Sequence, residues 1–64
     1  MPTEVKSKDE FLRLLPNARE CRVVRRKGYV KLKLRLSRTL YTYKTDNEEA
    51  EELLKQVKCP IVEL

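Results

Sequence analysis

Residues 20–36, ECRVVRRKGYVKLKLRL, contain the strongest structural pattern of the chain. From position 30 onward apolar and cationic side chains alternate strictly: Val30, Leu32, Leu34 and Leu36 against Lys31, Lys33 and Arg35. This period of two is typical of a half-buried strand, because successive side chains of a strand point to opposite faces of the sheet. Residues 21–26 predict a partner strand. Lys27-Gly28 predicts the two-residue hairpin turn between them, since glycine adopts positive φ at little cost.

The hairpin turn also predicts which side chains share a face. With Arg26 opposite Tyr29, the core-facing pairs are Val23 with Leu32 and Cys21 with Leu34. The opposite face receives cations from both strands, namely Arg22, Arg26, Lys31, Lys33 and Arg35, with Val24 as its one apolar member. Two strands considered separately therefore predict one common basic face.

A third strand is predicted from about Thr39 to Lys44, but its register has two solutions. A two-residue loop at Ser37-Arg38 turns Tyr41 and Tyr43 toward the core. A three-residue loop buries Leu40 instead and places both tyrosines on the basic face. A shift of one residue reverses every side chain of a strand, so both registers remain open at the level of sequence.

The sequence predicts two helices, each with a capping box. Ser7 and Glu10 have the capping-box spacing, Phe11 begins an apolar stripe, and Pro16 ends the helix near Leu15. The second helix begins where both Thr45/Glu48 and Asp46/Glu49 fit the same spacing. Its apolar stripe is Ala50, Leu53, Leu54 and Val57, and Pro60 is expected to end it.

These elements predict an α+β fold within a single domain, residues 1–64. The expected architecture is a small antiparallel three-stranded sheet with two helices packed on one face. Residues 61–64 and Glu4-Val5 are candidates for terminal strands that extend the sheet.

Composition excludes several classes of protein. No window approaches the ~18 apolar residues of a membrane span, and the N-terminus has no apolar leader, which predicts a cytoplasmic protein without a membrane partner. The chain has no histidine and only Cys21 and Cys59, too few ligands for a zinc site, and these thiols are either free or joined in a disulfide. We expect no cofactor, no small-molecule substrate and no catalytic residue, hence no enzyme.

The basic charge is concentrated in one segment. Residues 19–44 hold ten of the fifteen cations and a single acid, Glu20, although the whole chain has a net charge of only +5. Side chains on one face of a strand recur every ~6.6 Å, comparable to the spacing of phosphates along a nucleic acid. Lys31, Lys33 and Arg35 are therefore predicted to bind phosphates. RNA is favoured over DNA, since neither helix is basic enough for the major groove.

Alternative interpretations remain open. Cations on a sheet can serve only to prevent edge-to-edge aggregation. The acids of the second helix, Glu48, Glu49, Glu51 and Glu52, would suit a protein-interaction module with a basic partner. A free-standing RNA-binding protein acting outside any larger assembly is a further alternative.

Residues 30–57 resemble the thirty-eight-e family of large-subunit ribosomal proteins of archaea and eukaryotes. The matching motifs are Lys31-x-Lys33-x-Arg35, Ser37-Arg38, Leu40-Tyr41-Thr42, and Thr45-Asp46 leading to Ala50, Leu53 and Gln56. The Met-Pro start, Phe11-Leu12 and the Val-x-Glu-Leu ending are also similar. The chain departs from eukaryotic members by one residue fewer between Thr42 and Thr45, and its shortness overall is that of an archaeal member.

This resemblance implies a structural, non-enzymatic protein held on the large subunit by ribosomal RNA, a monomer beside neighbouring ribosomal proteins. By position, it implies RNA contacts from Lys31, Lys33, Arg35, Ser37 and Arg38. The face argument adds Arg22, Arg26 and Lys27 to these contacts.

Overall fold

The centre of the molecule is the predicted hairpin. In the computed structural model, which describes residues 3–63, the elements are β1 (Thr3–Glu4), α1 (Lys8–Leu14), a 3-10 helix (Leu15–Asn17), β2 (Glu20–Arg26), β3 (Tyr29–Arg35), β4 (Leu40–Thr45), α2 (Asn47–Leu54) and β5 (Ile61–Glu63). Arg26 pairs with Tyr29 across the turn, and Gly28 has φ of 88°. The predicted pairs Val23 with Leu32 and Cys21 with Leu34 are confirmed.

The register of β4 is the one that a two-residue loop produces. Leu34 pairs with Tyr41 and Leu32 pairs with Tyr43, and the Leu36 N–H donates to the Thr39 carbonyl at 2.9 Å across the loop. Both tyrosines therefore lie on the core side of the sheet, half-buried against the core. The alternative that buried Leu40 is wrong.

The sheet has five strands and is mixed, in the order β1-β4-β3-β2-β5. The antiparallel three-stranded centre is confirmed, and both terminal segments extend it. They pair in parallel, β1 with β4 and β5 with β2, so the expectation of an antiparallel sheet is wrong for its two edges. The reason is connectivity: a helix follows β1 and β4, and a helical crossover returns the chain in the same direction. The Met-Pro start and Leu64 lie outside the described residues.

Both helices pack on one face of the sheet, as predicted. One core cluster joins Phe11 of α1 and Ala50 and Leu53 of α2 to the inward side chains of β2 and β3. The crossover from β1 to β2 and the crossover from β4 to β5 each move three positions across the sheet in the same direction. Because crossovers between parallel strands have the same hand, both place their helix on the same face of the sheet. Within the part of the chain that the structure describes, no helix lies over the other face of the sheet.

The helix starts agree with the capping boxes, but the second helix is shorter than expected. The Glu10 N–H donates to Ser7 Oγ at 3.2 Å, and the Glu49 N–H donates to Asp46 Oδ1 at 2.8 Å, which selects Asp46 over Thr45 as the cap. Helix α2 ends at Leu54, six residues before Pro60.

The early end of α2 comes from a tightened last turn. The N–H groups of Gln56 and Val57 donate to carbonyls three residues earlier, while Val57 still packs against the core.

No helix in residues 3–63 has the length and apolarity that a membrane crossing requires.

Candidate nucleic-acid interface

The helix-free face of the sheet collects cations from three neighbouring strands. We call this surface the basic face and define it by Arg22 and Arg26 of β2, Lys31, Lys33 and Arg35 of β3, and Lys44 of β4. The strand pairing arranges it in rungs: Arg22 lies beside Lys33 and Thr42, and Lys31 lies beside Lys44. Since paired residues project to the same side, the register alone makes the face basic.

Arg25 is a cation of β2 that does not belong to the basic face. It neighbours Arg26 in sequence but points to the helix side, where its guanidinium lies 3.0 Å from Glu51 and 2.9 Å from Glu63. Hydrogen bonds to these two carboxylates raise the pKa of Arg25 above its usual value. Arg25 therefore joins the edge strand β5 to α2, whereas Arg26 faces solvent.

The structure brings most of the predicted residues together, but the two turns separate the rest. Lys27 lies in the β2–β3 turn, whereas Ser37 and Arg38 lie in the β3–β4 loop at the opposite end of β3. The predicted contacts therefore run along the whole of β3 rather than forming one cluster. None of the eight is buried: five are exposed, and Arg22, Lys31 and Lys33 are half-buried.

Four predicted residues meet at the loop end of the face. Arg22, Arg35, Ser37 and Arg38 line an open depression of about 330 Å³, together with three other residues of the loop and β4. Three guanidinium groups and a hydroxyl around one depression are the donors that suit a phosphate oxygen. This depression lies where β2, β3 and the β3–β4 loop meet.

Lys44 is a member of the basic face that sequence reasoning did not single out. It pairs with Lys31, and its Nζ lies 4.6 Å from the centroid of the Tyr29 ring. The position of Lys44 could not be predicted without the length of the β3–β4 loop. The two-residue loop that turns the tyrosines inward also places Lys44 opposite Lys31.

Two carboxylates lie on the same side of the sheet as the cations. Glu20 accepts a hydrogen bond from Arg22 Nε at 2.9 Å, so part of the Arg22 charge is neutralised within the protein. Glu4 lies beside Thr42 at the edge. Within the described residues, no ion pair involves the other seven predicted contacts.

Tyr43 is part of the core contact between β4 and α2. Its hydroxyl donates to Glu49, and its ring centroid lies 5.5 Å from that of Phe11. Burial, reinforced by the Glu49 carboxylate, raises the pKa of Tyr43 to about 12. The basic face therefore presents neither Tyr41 nor Tyr43 to a ligand.

The cysteines lie close together as free thiols. Cys21 is fully buried in the core, its N–H donates to the Pro60 carbonyl at 2.9 Å, and Cys59 packs against the same core. Burial raises the pKa of the Cys21 thiol to about 11, with a further contribution from Cys59. Among residues 3–63, no group of three or more potential metal ligands forms.

The acids of α2 are largely occupied by contacts within the protein. Glu49 binds Tyr43, Glu51 binds Arg25, and Glu52 lies 3.6 Å from Lys8. A basic partner protein would have to compete with these contacts. The geometry therefore favours the basic face over the acidic helix as the site for a ligand.

Comparison with known proteins identifies the family of the chain. The chain is 52% identical over 59 residues to the large ribosomal subunit protein eL38 of Aeropyrum pernix, an alignment that covers 92% of this chain and 88% of that protein. The sequence model of the ribosomal L38e protein family matches residues 1–62. The chain therefore belongs to the ribosomal L38e protein family.

Proposed function

We propose that this protein is a structural constituent of the large ribosomal subunit that binds ribosomal RNA through its basic face. Family membership makes it a ribosomal protein that works on the ribosome in the cytoplasm, in a family that is structural rather than enzymatic. The observation on which RNA binding rests is the sorting of six cations onto the one sheet face that no helix of residues 3–63 covers.

The spacing along β3 fits a phosphate chain. Lys31, Lys33 and Arg35 are alternate residues of one strand, so their side chains leave the sheet about 6.6 Å apart. Neighbouring phosphates along an RNA strand are separated by a similar distance. Arg35 can hold a phosphate with two N–H groups, while the lysines act as point charges.

The face is suited to the RNA backbone rather than to a run of bases. RNA-binding sheets that read single strands stack several bases on aromatic side chains, and here Tyr41 and Tyr43 point inward. Recognition then depends on phosphate positions and RNA shape. Arg22, Ser37 and Arg38 line the same depression as Arg35. Together these residues would hold the RNA backbone at the loop end of the basic face.

Incorporation into large subunits tests the proposal. The variant Lys33→Glu with Arg35→Glu reverses the charge of one half-buried and one exposed side chain without removing any ion pair seen in residues 3–63, so the isolated protein should stay folded. We expect it to be absent from large subunits in sucrose gradients. The matched control is Lys55→Glu with Lys58→Glu, which makes the same change of charge away from the sheet.

Three outcomes of the gradient are informative. Loss of the first variant with retention of the control supports the basic face. Retention of both would show that RNA contact lies elsewhere on the protein. A wild-type chain that sediments only outside ribosomes would favour a free-standing RNA-binding protein instead.

A further inference from the structure

Within residues 3–63, Tyr29 is the one aromatic side chain that lies on the same side of the sheet as the basic face. The chain has four aromatic residues. Of the other three, Phe11 is buried in the core and Tyr41 and Tyr43 pack against it. Tyr29 begins β3 opposite Arg26 and is half-buried. The face thus offers one ring on which a base can stack.

Two ammonium groups lie near that ring, and two hydrogen-bonding side chains line the same depression. Lys44 Nζ lies 4.6 Å and Lys31 Nζ 5.8 Å from its centroid. These three residues, with Glu4 and Thr42, line an open depression of about 460 Å³. Its volume falls within the ~300–1,000 Å³ of typical small-ligand sites.

We propose that this depression receives a single unpaired nucleotide of the bound RNA, with its base stacked on Tyr29 and its phosphate held by Lys31 and Lys44. The proposal rests on the function proposed above and adds a second kind of contact to it. Because no other aromatic side chain in residues 3–63 faces this side, one base is taken out of the RNA rather than a run of bases.

The contact between Lys44 and the Tyr29 ring is compatible with entry of a base. An exposed cation–π contact is weaker than the stacking of a base on an aromatic side chain. A base that occupies the ring would therefore displace the ammonium group, which would then be free to meet the phosphate of the same nucleotide.

The carboxylate of Glu4 adds a preference among bases. A carboxylate accepts hydrogen bonds and donates none, so it favours a base with an exocyclic amino group. Cytosine, adenine and guanine have such a group, whereas the one donor on the pairing edge of uracil, N3–H, lies between two carbonyl oxygens that would repel the carboxylate. We therefore expect uridine to be the weakest of the four nucleotides at this site.

RNA hairpins with one bulged nucleotide test the site on the full-length protein. The three probes carry a bulged cytidine, a bulged uridine or an abasic residue at the same position, so their phosphate charge is equal. We expect the cytidine probe to bind about 5- to 150-fold more tightly than the abasic probe. The Tyr29→Leu variant should reduce that ratio to near one, Tyr29→Phe should retain it, and Glu4→Gln should narrow the gap between cytidine and uridine.

The outcomes separate this proposal from the proposed function. Equal binding of the cytidine and abasic probes by the wild type, with a normal salt dependence, would overturn the nucleotide site and leave the basic face standing. Binding that does not depend on salt would contradict the basic face itself. A probe with bulged 2-aminopurine gives a readout on the wild type alone, because stacking on Tyr29 should quench its fluorescence, and unchanged fluorescence would also overturn the site.

Discussion

At the scale of single residues, neighbours in sequence have opposite surroundings because a strand alternates its faces. Cys21 lies in the core with none of its surface exposed, while Arg22 beside it points to the basic face. Arg25 and Arg26 divide in the same way, one into ion pairs with Glu51 and Glu63 and the other into solvent. The chemistry of each residue therefore follows from its parity in the strand.

The buried thiol predicts a loss of stability at alkaline pH. The pKa of Cys21 rises from an ordinary 9.0 to about 11 on folding, so the unfolded chain releases the proton first. The resulting stability is fully present below pH 9 and is lost as pH rises toward 11. Between pH 8 and 10.5 we expect a loss of about 2 kcal/mol from this group, at 1.36 kcal/mol per pKa unit.

Urea denaturation under reducing conditions measures this loss, with Cys21→Ala as the control. Tyr43, whose pKa is also raised, to about 12, contributes in both proteins and cancels in the comparison. The wild type should lose more stability than the variant over the same pH interval. Parallel losses in the two proteins would contradict the burial of the thiol.

At the scale of elements, each helix is short and depends on its first turn and its packing. Helix α2 has eight residues and α1 has seven, lengths that are unstable in isolation. Both begin with a side-chain cap, and both bury apolar residues against the inner face of the sheet. Both helix starts could be predicted from the sequence because capping residues act locally. The end of α2 could not be predicted in this way, because it depends on a tightened last turn.

The Asp46 cap predicts a measurable cost for its removal. Asp46→Ala takes away the acceptor of the Glu49 N–H and should lower the free energy of unfolding by about 1 kcal/mol. Asp46→Asn keeps an acceptor oxygen at the same position and should cost little. Thermal or urea denaturation measures both, and equal losses in the two variants would show that the cap hydrogen bond is unimportant.

At the scale of the whole molecule, the two sides of the sheet differ in charge. The helix side holds the acids of α2, three of which bind Arg25, Lys8 and Tyr43. The other side holds six cations and two carboxylates in the described residues. A polyanion that approaches this side meets a positive field without repulsion from the acidic helix.

Arg25 and Arg26 provide a matched test of this polarity, since they are adjacent and chemically identical. Arg26→Gln should weaken RNA binding and lower the slope of log K against log salt by about 0.7–1 unit, the effect of one lost phosphate contact. Arg25→Gln should leave the slope unchanged and instead lower stability by removing its ion pairs. Titration of RNA at several salt concentrations distinguishes them. Equal slopes for both variants would contradict the polarity.

Features that depend on short-range geometry could be predicted from the amino-acid sequence alone. Alternation in residues 30–36 and one glycine turn were sufficient for the β2–β3 register, and hence for the side on which Arg22, Arg26, Lys31, Lys33 and Arg35 lie. Both helix starts followed from similarly local capping patterns. Family resemblance, which the comparisons confirm, supplied the ribosome as the context.

Features that join distant parts of the chain became visible only in the folded protein. The position of Lys44 opposite Lys31 depends on a loop length that two registers satisfied equally well in sequence. The parallel edge strands and the ion pair between Arg25 and Glu63 connect residues far apart in the chain. The physical reason is that side-chain periodicity reports the environment of one strand, whereas pairing between distant segments is selected by the packing of the complete core.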